Sequence, residues 1–130
     1  MRHPVLRVCR PSDDPEALLP FYREGLGFDV LCRFRDRQGF DGVMLGHPGA
    51  PYHLEFTRAA GRRAGRAPSL DHLLVFFVPD ATAWSAAVAR MRCAGSAPVQ
   101  SFNSDRDRSG ESSEDPDGYR VVIRQSTWTV

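Results

Sequence analysis

Apolar and polar side chains alternate over residues 5–9, the period of a half-buried strand. The run Ser12, Asp13, Asp14, Pro15 and Glu16 follows, supplying capping residues and a proline suited to a first helical turn. Leu18, Tyr22 and Leu26 recur at helical spacing, so a helix is expected to run towards Gly25, with Pro20 set to split or kink it. Residues 28–35, 42–45 and 52–57 then read as three strands joined by polar, glycine-containing turns. The next stretch, 58–69, is rich in Ala, Gly and Arg, has no period, and reads as a solvated, mobile connector.

The second half repeats that order. Residues 70–78 form an apolar strand, Pro79 and Asp80 a cap, and residues 81–93 a helix with Trp84, Val88 and Met91 on one stripe, ended by Gly95. A strand over 97–101, a polar loop, a short strand over 111–113, the turn Asp115, Pro116, Asp117, Gly118 and a last strand over 119–125 complete it. Equivalent landmarks stand at nearly constant offsets: 69 from His3 to His72, 68 from Gly27 to Gly95, 67 from Glu55 to Val122. The expectation is one α+β domain over 1–130, with module one at about 3–57, a linker at 58–69 and module two at about 70–126. Each module's helix covers one sheet face, and the two open faces line a shared cleft, within one chain or across a homodimer.

With 130 residues and 42% apolar content, the chain can bury a core without disulfides. Its cysteines, Cys9, Cys32 and Cys93, are scattered and form no C-x-x-C pair, against a disulfide framework or zinc ribbon and in favour of a reducing, cytoplasmic setting. No signal-peptide layout and no apolar run near the roughly 20 residues of a membrane helix appear. All 17 basic residues are arginine, against 16 acids, for a net charge of +1. Such a balance sets up no global attraction to nucleic acid or membrane, and no aromatic residues interleave with the linker arginines for base stacking. A small molecule is the expected partner.

His3-Pro4-Val5-Leu6-Arg7-Val8, Phe21-Tyr22 with Leu26-Gly27, His53-Leu54-Glu55-Phe56-Thr57, Asp71-His72-Leu73-Leu74-Val75 and Glu114 through Tyr119 occur in this order along the chain. Together they resemble the signposts of the vicinal oxygen chelate superfamily, which includes glyoxalase I, bleomycin-resistance proteins and extradiol dioxygenases. The resemblance implies two βαβββ modules around a cleft. It also implies a divalent metal (Zn, Ni, Mn or Fe) held by a side chain from the first and last strand of each module. Those positions fall on His3, Glu55 and His72, with Val122 at the fourth, where there is no lone pair. The loop from Val8 to Phe21 is longer than is usual in the family, so the register of the first strand decides how His3 is used.

Strand parity assigns His53, Glu55 and Thr57 to the cleft and Tyr52, Leu54 and Phe56 to the helix side. The same alternation sets Arg7 and Cys9 beside His3, Leu74 and Phe76 beside His72, and Arg120 and Arg124 beside Val122. It leaves Leu6, Val8, Leu73, Val75, Phe77, Val121 and Ile123 for the core. The expected ligand-binding set is therefore Arg7, His53, Leu74, Phe76, Arg120, Val122 and Arg124, suited to an anionic or oxygen-rich molecule. No catalytic residue is assigned, and Cys9 has no nucleophile's partners in the sequence. Two functions stand open. One is a binding protein of the drug-sequestering kind with an incomplete metal site, for which cationic bleomycin suits an arginine-bearing cleft poorly. The other is a metal-dependent lyase, isomerase or dioxygenase using His3, Glu55 and His72.

Overall fold

The computed structural model of the chain describes residues 3–101 and 109–128. The first module comprises β1 (Leu6–Pro11), a 3-10 turn (Pro15–Leu18), a π-helical segment (Pro20–Gly25), β2 (Asp29–Arg37), β3 (Phe40–Gly46) and β4 (Tyr52–Ala59). The second comprises β5 (Leu73–Phe77), α1 (Ala81–Cys93), β6 (Pro98–Val99), β7 (Gly110–Glu114) and β8 (Arg120–Arg124). Most of the polar loop expected after residue 101 lies outside the described residues. No helix among those described is long and apolar enough to cross a membrane.

The first helix is broken where its sequence breaks it. Asp14 Oδ1 caps the first turn by accepting from Ala17 N at 3.3 Å. Pro20 has no N–H to continue the ladder, and the chain restarts as a wider helix in which Leu26 N bonds Phe21 O at 3.0 Å. Helix α1 is regular, with Asp80 Oδ2 accepting from Ala83 N at 2.8 Å and Val88 and Met91 buried.

Each module builds a four-stranded sheet, in order β1-β4-β3-β2 and β5-β8-β7-β6. The first strand runs parallel to the last in both, pairing Cys9 with Glu55 and Val75 with Val122. Identical strand order bears out the duplication read from the offsets.

One apolar core joins the modules. Leu18, Tyr22, Val43, Leu45, Leu54 and Phe56 of the first meet Met91, Val121 and Ile123 of the second. Phe28 sets its ring against Phe76 at 5.9 Å, edge to face. The helix-bearing faces of both sheets are thus committed to each other, and the core stands between the two opposite faces. Within one chain those faces do not close a cleft together.

Candidate functional site

Parallel pairing of β1 with β4 sets Arg7 beside His53 and Cys9 beside Glu55, on the face away from the core. Arg7 Nε donates to His53 Nε2 at 2.8 Å, so that nitrogen carries no proton. Cys9 Sγ donates to Glu55 Oε2 at 3.1 Å, and Arg7 Nη1 stands 4.0 Å from Glu55 Oε1. The bond to Glu55, followed by partial burial, raises the Cys9 thiol above its ordinary range, so Cys9 serves as a neutral donor. Exposure separates the charged pair: the Arg7 side chain is 47% exposed and that of Glu55 14%. The carboxylate is held, and the guanidinium keeps donors facing outward.

Two neighbours on this face escaped the sequence reading. Met44 pairs with Glu55, and Gly42, two positions before it, pairs with Phe34. A β-carbon at Gly42 would overlap the Phe34 ring, so glycine is what lets the ring lie flat there. The antiparallel register of the β2–β3 hairpin is the signal that could have found both.

On the second sheet, β8 alternates as expected: Val121 and Ile123 enter the core, while Arg120, Val122 and Arg124 share the other face. The expectation for β5 is reversed. Leu74 and Phe76 pair with Val121 and Ile123 and pack against the core, whereas Leu73, Val75 and Phe77 share the face of Arg120, Val122 and Arg124. All five residues of β5 are apolar, so no alternation existed from which to read its parity. Arg120 is also less available than its parity implied. Its Nε donates to Glu114 Oε1 at 3.2 Å and its Nη1 to Gln100 O at 2.8 Å, leaving it almost wholly buried. Val122, on the same face, is fully buried.

The three residues expected to hold a metal stand apart. His3 lies six residues before Cys9, the residue that the register sets beside Glu55, and precedes β1 altogether. His72 turns its ring against Tyr119, which alternates with the core residues Val121 and Ile123. Among the described residues no three His, Cys, Asp or Glu side chains lie close enough to hold a metal ion. The donors of a single chain therefore do not fit the group that the family resemblance implies.

A hollow of about 370 Å³ adjoins Gly42 and Phe34 on the first sheet and is lined also by Asp13, Glu16, Arg33, Asp41 and Arg58. Its walls mix both signs of charge, with Arg33 already 3.1 Å from Glu16, and no motif residue borders it.

Residues 6–57 match the YycE-like N-terminal domain and residues 71–125 the YycE-like C-terminal domain. YycE of Bacillus subtilis (strain 168) is 39% identical over 121 residues, covering 93% of this chain and 87% of that relative. A crystal structure of Bacillus subtilis YycE, a protein of unknown function named as a candidate glyoxalase/fosfomycin-resistance protein, has a TM-score of 0.87 at 38% identity, covering 96% of this chain and 91% of that one. The trypanothione-dependent glyoxalase I of Leishmania major gives 0.71 at 22% identity, covering 96% and 88%. The antibiotic-binding protein TnmS3 of Streptomyces sp. CB03234 gives 0.63 at 22%, covering 98% of each. At 22% identity such likeness shows the fold alone. With both halves matched in order and this architecture shared, the chain is a member of the YycE-like family, within the vicinal oxygen chelate superfamily.

Proposed function

We propose that the chain binds a small, anionic or oxygen-rich molecule without a metal, in a cleft where the first sheet's open face meets the second sheet's open face of another copy. The observation that carries this reading is the register of β1. It sets Cys9 beside Glu55 and Arg7 beside His53, with Arg7 Nη1 4.0 Å from the carboxylate, so the protein itself supplies a thiol donor and a cation where His3 would have to stand. A guanidinium fixed through Nε and half exposed offers its terminal N–H groups to a carboxylate, phosphonate or enolate. Leu73, Val75 and Phe77 offer an apolar wall for the rest of the ligand.

Calorimetry with matched anionic and cationic aromatic probes, such as 2-naphthoate and 2-naphthylmethylammonium, tests the charge preference. The anion is expected to bind more tightly, and Arg7→Ala to cost it about 1 to 3 kcal/mol. Tighter binding of the cation would overturn the reading. The metal-dependent lyase, isomerase or dioxygenase makes the opposite forecast for Ni, Zn and Mn titrations. Weak binding indifferent to Glu55→Ala is expected; tight, stoichiometric metal lost in that variant would favour the enzyme.

A further inference from the structure

The long first loop and the arginine-rich linker meet, and the linker is pinned rather than a free connector. Asp13, between β1 and the 3-10 turn, accepts from the backbone N–H groups of Ala64 at 2.7 Å and Gly65 at 3.0 Å. The next two linker residues bond to the second module. Arg66 Nη1 donates to Pro116 O at 3.1 Å, Arg66 Nη2 stands 3.5 Å from Glu114 Oε2, and Ala67 N donates to Asp117 O at 2.8 Å. Gly118, at φ +91°, leaves room for that guanidinium, since a β-carbon there would lie 2.9 Å from Arg66 Nη2.

The same turn also receives the first module's helix. Asp115 Oδ2 accepts from the Tyr22 hydroxyl at 2.6 Å, in a buried setting. Its Oδ1 accepts from the N–H groups of Asp117 at 2.8 Å and Tyr119 at 3.0 Å. Arg10 of β1 lies over the Tyr119 ring at 4.1 Å. Residues 64–67 therefore tie to both modules at once. A connector that merely spans a gap needs none of these bonds, and without them nothing in the linker itself would oppose an exchange of modules between copies.

We propose that Asp13, the 64–67 segment and the Asp115–Gly118 turn form a clasp that keeps the two modules of one chain paired. A second copy then docks against an intact chain and does not exchange modules with it. The inference goes beyond the binding reading and holds whatever the cleft takes up.

Gly25 and Ala94 face each other across the module boundary. A β-carbon on Gly25 would lie 3.7 Å from that of Ala94, within disulfide reach. With Cys9, Cys32 and Cys93 changed to serine, Gly25→Cys with Ala94→Cys, oxidised in the native state, is expected to run as one chain on a non-reducing denaturing gel. A covalent dimer would overturn the clasp. That pair crowds Met91, whose Sδ would stand 2.7 Å from the new β-carbon, so a second measurement leaves the core untouched. Trypsin cleavage within residues 62–66 of the native protein is expected to be slow and to speed up about tenfold in Asp13→Ala, as two backbone bonds no longer oppose local opening. Equal rates in the two proteins would overturn the proposal as well.

Discussion

Glu55 shows how one side chain's neighbours set its chemistry. Its carboxylate accepts from the Cys9 thiol and is flanked by Arg7, and the bond in turn keeps the thiol protonated. Replacing Glu55 with Gln removes the negative charge that disfavours the thiolate, so the thiol should titrate at lower pH. Alkylation of Cys9 by iodoacetamide at mildly alkaline pH, followed by mass spectrometry, is expected to be faster in Glu55→Gln than in wild type; an unchanged rate would refute the pairing. Much at this scale was legible in the sequence. Tyr52 to Thr57 alternates cleanly, and the structure buries Leu54 and Phe56 while turning His53 and Glu55 outward. His3 was not legible, because its use depends on where β1 begins and how it is registered on β4, and the paired residues start only at Leu6.

At the scale of elements, local chemistry accounts for the helices well. Helix α1 begins at the cap that Asp80 provides and ends before Gly95, at φ +90°. Asp80→Ala is expected to lower stability by about 0.5 to 2 kcal/mol with the fold kept, measurable by urea denaturation. The Trp84 indole bonds Ile123 O at 2.9 Å, which fixes the helix over β8. Strand β5 is the counterexample. Its five apolar residues carry strand propensity but no parity, so only pairing with β8 reveals that Leu74 and Phe76 face the core. The first helix lies between these cases: Pro20 foretold a break, whereas the wider helix after it, which packs against α1, carried no signal of its own.

For the whole molecule, the decisive fact is that the core joins the helix sides of both sheets and leaves the outer strand edges uncovered. Leu6, expected in the core, instead opens the edge strand β1 60% exposed, next to Val5 at 61%, and Phe77 of β5 is 40% exposed. Both strands are sheet edges. Apolar side chains gathered on unpaired edges suit burial by another copy. Light scattering at micromolar concentration is expected to report a dimer, and Leu6→Arg with Phe77→Arg a folded monomer. A wild type that stays monomeric would remove the two-copy cleft while leaving the clasp intact.

The sequence by itself determined the duplicated order of elements, the helix stripe, the turn chemistry and the parity of β4 and β8, which mix polar with apolar residues. These follow from local periodicity and from residues such as Asp80, Pro20 and Gly118, whose preferences act over a few positions. Tertiary structure alone decided which faces meet, which of the expected site residues gather, and what the linker does. Glu55 and His3 share a module, yet Cys9 and not His3 stands beside Glu55, because strand register is a long-range pairing. Arg120 carries open-face parity yet is spent on Glu114 and Gln100, and Asp13 reaches a linker some fifty residues ahead. No period in the chain encodes a contact between segments that only the shared core brings together.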